Sequence, residues 1–240
     1  MFKNISALMR IIMMLIILSI SFSVNASQYR PVSKIRGGYC QSLVVTESGT
    51  VWGCGRASNE NSVLGIGKSP AGSRWFTQSP NLENIIDADL GSGTMVVLDA
   101  NGFVWTCGFD NYGSLGDGAP IQAKSTPVKV IGIDSNMPYL CNIKAVATHC
   151  SINADFCLAV DQNGVTYGWG SNSKSQLGEP YTQQYFTSPI LISGLPVIDM
   201  VAATQDSSHV LDVNGFVWSF GSNYGGKLGI GSSDYYLNRA

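Results

Sequence analysis

The chain has 240 residues, 14 basic against 16 acidic side chains, a net charge of −2 and only 12% charged residues, about half the ~25% usual for soluble domains. The absent basic excess removes the footprint of a nucleic-acid-binding protein, so no nucleic-acid partner is expected. Glycine, aromatic and β-branched residues are plentiful, the usage of many short strands joined by tight turns.

Residues 1–26 carry Lys3 and Arg10, then the apolar run Ile11 to Ile20, then Val24-Asn25-Ala26. This is the pattern of a secretory signal peptide cleaved after Ala26. The run falls well short of the ~20 residues that cross a bilayer, so no stable membrane insertion is expected after cleavage. The product 27–240 is expected to be secreted or periplasmic, and losing Lys3 and Arg10 lowers its net charge to −4.

The rest of the chain is written four times. Gly49, Gly102, Gly164 and Gly215 open GTVWGCG, GFVWTCG, GVTYGWG and GFVWSFG, at separations of 53, 62 and 51 residues. Each unit is too small to bury a core alone, so the units stack. Their approximate limits are 31–82, 83–130, 131–191 and 192–240. The Asn-Gly pairs Asn101-Gly102, Asn163-Gly164 and Asn214-Gly215, with Ser48-Gly49 as a weaker copy, predict hairpins on two-residue turns in which both positions take positive φ.

Upstream of each hairpin the apolar runs Val32 to Ile35, Ile85 to Leu90, Ile143 to Ala147 and Val197 to Ala203 predict a further strand. The stretches Gln78 to Leu82, Thr126 to Val130 and Ser188 to Leu191 each contain a proline, which cannot donate to a central ladder, and predict an outer edge strand. Each complete unit is then a four-stranded antiparallel sheet. In the fourth unit only nine residues follow Gly231, which predicts an outer edge lacking its fourth strand unless residues 232–240 fold back to cover it.

A second glycine follows each anchor by six residues, at Gly55, Gly108, Gly170 and Gly221, and then come Leu64-Gly65, Leu115-Gly116, Leu177-Gly178 and Leu228-Gly229. This pattern, clearest in Phe109-Asp110-Asn111-Tyr112-Gly113-Ser114-Leu115-Gly116, resembles the regulator of chromosome condensation repeat family over nearly all of residues 27–240. The resemblance implies an all-β, β-propeller-like fold of about four blades, where the family usually closes seven. Seven units of this size would need a chain of about 385 residues, so an open arc or truncated propeller is expected. The family includes exchange factors for a small GTPase, binding modules and secreted inhibitors. Its histidine eight residues before the anchor is replaced here by Gln41, Thr94, Phe156 and Ser207.

Catalytic and metal chemistry find little support. Cys141, His149, Cys150 and Cys157 lack the paired Cys-x-x-Cys spacing of structural zinc sites, and an oxidising compartment favours disulfides. Cys150 and Cys157 flank the loop between two antiparallel strands and are the candidate disulfide. Cys54 and Cys107 fall at equivalent places in successive units and are expected to be free, buried thiols in the slot that Trp169 and Phe220 fill elsewhere. The pairing of Cys40 and Cys141 is left open. Gly65-Ile66-Gly67-Lys68-Ser69 ends like a phosphate-binding loop, but the required earlier glycine is Ser62. Asp99, Asp161 and Asp212, each three residues before an anchor, are expected to flank turns, and Trp52, Trp105, Tyr167 and Trp218 to belong to blade cores. No cofactor or catalytic set is implied.

Function is therefore read from a surface. The loops after the second glycine carry polar and aromatic residues in register and are the candidate interaction face: Arg56, Asn59, Phe109, Asn111, Tyr112, Asn172, Lys174, Asn223 and Tyr224. The expected role is an exported scaffold that binds another protein there, with self-association through open blade edges. The alternatives are a GTPase exchange-factor-like regulator, inherited from the family, and a degenerate fragment without independent function.

Overall fold

The computed structural model describes residues 31–56, 63–67, 72–149 and 155–231, and the backbone of Tyr236–Leu237. The expected leader and Cys150 lie outside these residues. Among the described residues sixteen strands form four sheets. The first contains β1 (Val32–Gly37), β2 (Gln41–Thr46), β3 (Val51–Gly55) and β4 (Ser73–Gln78); the second, β5 (Ile85–Leu90), β6 (Thr94–Asp99), β7 (Val104–Gly108) and β8 (Lys124–Lys129). The third contains β9 (Ile143–His149), β10 (Phe156–Asp161), β11 (Thr166–Ser171) and β12 (Tyr185–Leu191); the fourth, β13 (Ile198–Ala203), β14 (Ser207–Asp212), β15 (Val217–Ser222) and β16 (Tyr236–Leu237). Every sheet is an antiparallel meander in chain order. The protein is all-β, built of propeller blades in an open arc.

Three apolar cores lie between consecutive sheets. Leu43, Val45, Val51 and Leu64 of the first meet Ala88, Leu90, Met95, Val97 and Cys107 of the second. Val96, Leu98 and Val104 meet Val146, Cys157, Ala159 and Trp169; Leu158, Val160 and Leu177 meet Val210 and Phe220. Alternation along a strand sends neighbouring side chains to opposite faces. In the middle sheets both faces are covered, which is why β6 and β10 are buried at every position. In β2 and β14 burial alternates instead.

The hairpins differ from the two-residue turn expected. Only the anchor glycine takes positive φ, and Asn101, Asn163 and Asn214 do not. Asp99 N–H donates to Phe103 O at 3.0 Å and Gly102 N–H to Asp99 O at 2.9 Å, a three-residue loop whose glycine supplies the left-handed position. The aspartate explains the choice. Asp99 Oδ1 accepts from the Asn101 and Phe103 amides, and Oδ2 accepts from Trp105 Nε1 at 3.0 Å. Asp212 repeats this with Asn214, Phe216 and Trp218; Asp161 does so with Asn163, Val165 and the Tyr167 hydroxyl. A carboxylate at this place can organise a turn and a ring together because two oxygens offer several acceptor sites.

Two outer strands also depart from expectation. In the first unit the edge strand is Ser73–Gln78, and Pro80 lies beyond it. Register places Phe76 where the second and third sheets have Pro127 and Pro189, so the proline there marks the edge without being required by it. The fourth sheet does have a fourth strand: Gly221 pairs with Leu237 and Ser222 with Tyr236. Residues 236–237 thus fold back over the end of an edge expected to be bare unless residues 232–240 covered it, pairing two residues where the other sheets use six or seven.

Candidate interaction surface at the loop end

In an antiparallel meander the first and third connections leave from the same end of the sheet, so all loops after the second glycine gather at one end of the arc. That glycine bends the third strand over the start of the second. Gly108 has φ 119°, and the following amide of Phe109 donates to Gly93 O at 2.7 Å. Arg56 on Cys40, Ser171 on Asp155 and Ser222 on Asp206 repeat the bond at 2.8–3.0 Å.

In the second, third and fourth sheets one side chain then braces the loop. Asn172 Oδ1 accepts from the Leu177 amide at 3.0 Å, while its Nδ2 donates to the carbonyls of Glu179, Pro180 and Gln183. Asn223 Oδ1 accepts from Leu228 N–H at 3.1 Å. Asp110 accepts from the Leu115 and Gln122 amides at 3.2 and 3.1 Å. Burial pushes the Asp110 carboxyl above its ordinary range, and those two amides pull it partly back. Pinned in this way, Leu115, Leu177 and Leu228 are buried beneath their loops. The loops also reach the next outer strand: Gly67 N–H donates to Ser125 O and Gly118 N–H to Thr187 O, both at 2.9 Å.

The residues expected on this face separate into three groups. Asn172 and Asn223 are buried and act as braces, so they are not contact residues. Phe109 is half-buried against the core between the first and second sheets. Arg56, Asn111 and Tyr224 are exposed, with Tyr112 and Lys174 half-buried; Asn59 lies outside the described residues. Tyr112 crosses to the third sheet, its ring 6.5 Å from that of Tyr185 at 63°.

Sequence reasoning placed Tyr224 at this end but missed Tyr39, Tyr181 and Tyr185, which complete it. Tyr39 in the first connection of sheet one, Tyr181 in the third connection of sheet three, and Tyr224 are each 70–75% exposed, and Tyr185 begins β12 beside them. Their signal was their place among turn residues, in Gly37-Gly38-Tyr39 and Pro180-Tyr181, where no core position is available. Large amphipathic rings held on short turns bring contact area at little entropic cost.

Of the thiols, the two buried ones are engaged. Cys107 is fully buried, its Sγ donating to Val63 O at 3.1 Å, and burial pushes its thiol far above the ordinary value. Cys157 is buried with Sγ 3.4 Å from Thr148 Oγ1. Cys54 is half-exposed, contrary to the buried slot expected, because no preceding sheet covers that face among the described residues. Cys141 and His149 lie toward opposite ends of β9. Among the described residues no group of three or more His, Cys, Asp or Glu side chains could hold a metal ion. Ion pairs join neighbouring innermost strands: Lys34 to Asp87 at 2.7 Å, Arg36 to Asp87 and Asp89 at 3.4 and 3.8 Å, and Lys144 to Asp199 at 3.1 Å.

The regulator of chromosome condensation (RCC1) repeat matches residues 101–154 and 163–211. Each match opens at a hairpin and runs into the next sheet, so the family repeat straddles two blades. The human E3 ubiquitin-protein ligase HERC2 is 27% identical over 206 residues, covering 83% of this chain and 4% of that protein. Human WBSCR16 superposes with TM-score 0.69 at 24% identity over 90% of this chain and 53% of that one. Prp20p from Saccharomyces cerevisiae, whose structure was described with its binding to Gsp1p and histones, gives TM-score 0.70 at 17% identity over 86% and 49%. The chain thus spans about half the length of these solved structures and a small part of HERC2.

Proposed function

This chain belongs to the RCC1 repeat family, and from that premise we propose that it is an exported scaffold that binds another protein through the loop end of its propeller arc, without catalysis. The observation that carries this reading is the exposure of Tyr181 and Tyr224 on loops fixed by buried braces, with Tyr39 exposed on a tight turn at the same end. Aromatic anchors on a rigid support are what protein interfaces concentrate their binding energy on. Export rests on the leader 1–26, whose short apolar run and Val24-Asn25-Ala26 fit cleavage before Ser27.

The binding face is tested by photo-crosslinking from the exposed position 111 in the compartment where the chain accumulates, comparing the parent with a Tyr39→Ala, Tyr181→Ala, Tyr224→Ala variant. Loss of a discrete adduct in the variant is the expected result; an unchanged adduct pattern would remove the loop end as the binding face. Intact mass separates the export claim, since a product beginning at Met1 contradicts it. Nucleotide release from a small GTPase is the assay for the exchange-factor alternative.

A further inference from the structure

We propose that two copies of this chain join head to tail, the exposed face of sheet four in one receiving the exposed face of sheet one in the other. The two faces are the complementary halves of an interface that the chain makes with itself three times. The surface is separate from the loop end, and the proposal stands independently of the function proposed above.

Register defines both halves. The half directed to the following sheet consists of Leu43, Val45 and Val51 in sheet one, Val96, Leu98 and Val104 in sheet two, and Leu158, Val160 and Thr166 in sheet three. All of these are buried. In sheet four the same places are His209, Leu211 and Val217, beside Met200 and Ala202. They line an open apolar groove of about 250 Å³, with Met200 57% and Val217 65% exposed.

The half directed to the preceding sheet consists of Met95, Val97, Trp105 and Cys107 in sheet two and Ser208, Val210, Trp218 and Phe220 in sheet four. In sheet one it is Ser42, Val44, Trp52 and Cys54, all half-exposed, with Ile35 69% exposed beside them.

The glycines show the same unmatched end. A Cβ at Gly49, Gly102 or Gly164 would strike the first backbone of the next sheet, and one at Gly65, Gly116 or Gly178 would meet Cys107, Trp169 or Phe220. At Gly215 and Gly229, their equivalents in sheet four, nothing lies within 4 Å among the described residues.

The polar contacts also have a continuation. At each internal interface the carbonyl before the Leu-Gly pair is claimed from the next sheet. Val63 O accepts from Cys107 Sγ, Ser114 O from Trp169 Nε1 and Cys157 Sγ, and Gln176 O from Ser208 Oγ at 2.5 Å. The fourth such carbonyl is that of Lys227. Ser42 stands where Ser208 does and Cys54 where Cys107 does, so the second copy brings to Lys227 the two donor types already used. Two arcs of the four described sheets make eight blades, within the four to eight of closed propellers, so a dimer engages both pairs of faces and removes a head-to-tail contact that would otherwise propagate.

Sedimentation of the purified chain over a concentration series reads the mass. A dimer is expected, and a monomer at ~100 μM, far above a micromolar dissociation constant, would overturn the proposal. Met200→Asp with Val217→Asp blocks only sheet four, and Ile35→Asp blocks only sheet one. All three positions are exposed, so folding is preserved and circular dichroism verifies it. Neither variant should form the parent dimer, while a mixture of the two should pair through the one intact combination of faces. Failure of the mixture to pair, or an Ile35→Asp variant that still dimerises as the parent does, would overturn head-to-tail docking. His209→Leu restores the residue found at positions 43 and 158, and about tenfold tighter association is expected; unchanged association would place His209 outside the contact and count against the proposal.

Discussion

The amide of Ile143 donates to the carbonyl of Gly102 at 3.1 Å, tying the hairpin of the second sheet to the innermost strand of the third. Ile85 on Gly49 and Ile198 on Gly164 form the same bond at 3.0 and 2.9 Å. The anchor glycine thus has two duties: it takes positive φ within its hairpin, and it leaves room for the next backbone.

These duties can be measured apart. Gly102→Ala places a Cβ 3.1 Å from the Asn142 and Ile143 amides at φ 80°, whereas Gly215→Ala at φ 87° meets nothing among the described residues. In the monomer Gly215→Ala should lose about 1–2 kcal/mol from left-handed strain alone. Gly102→Ala should lose clearly more, with the difference read from urea denaturation midpoints.

Removing the turn aspartate should damage a hairpin without touching a core. Asp99→Ala leaves the amides of Asn101 and Phe103 and the indole of Trp105 without their acceptor. A loss of about 1–3 kcal/mol is expected in chemical denaturation, with Trp105 fluorescence changed in the folded state.

The thiols should sort by sheet position. Cys40 is exposed and Cys54 and Cys141 are half-exposed, while Cys107 is buried with its thiol pushed far up. Thiolate is the reactive form, so maleimide at neutral pH should label Cys40 and Cys141 in the native chain, Cys54 where sheet one is not covered by a second copy, and Cys107 only after unfolding, as read by peptide mass mapping.

Stability should fall on mild acidification. Burial pushes His149 down from the ordinary 6.5, with Asp89 opposing and Lys227 adding to the shift, and burial likewise pushes His209 down. The unfolded chain therefore binds more protons just below that value, and stability is present above pH 6.5 and lost as pH falls through the folded values. Thermal melts between pH 7 and 5 should show this decline, and a His149→Gln, His209→Gln variant should flatten it. Asp110, pushed up by burial, contributes in the opposite sense at lower pH.

Brace and contact residues should separate in experiment. Asn172→Ala removes the acceptor of the Leu177 amide and the donor to three carbonyls, so it should lower the melting temperature by several degrees, the scale of a 1 kcal/mol loss. Tyr224→Ala should leave the melt unchanged and weaken partner capture; a variant behaving the other way would reverse the two assignments.

Four units, their hairpins and most strands were legible in the sequence by itself because the glycines recur in phase and because β6 and β10 carry apolar residues on both faces. Tertiary structure decided what periodicity does not encode. Asp99 converts the expected two-residue turn into a three-residue loop by accepting the amides of Asn101 and Phe103, on either side of Gly102. Asn172 and Asn223 look like surface residues in a list of polar loop positions, yet the loops close around them because a buried amide needs an acceptor five residues away. Cys54 and Cys107 share one place in the repeat but differ in burial, since a strand pattern states which side a residue faces and only the neighbouring sheet determines whether that side is covered.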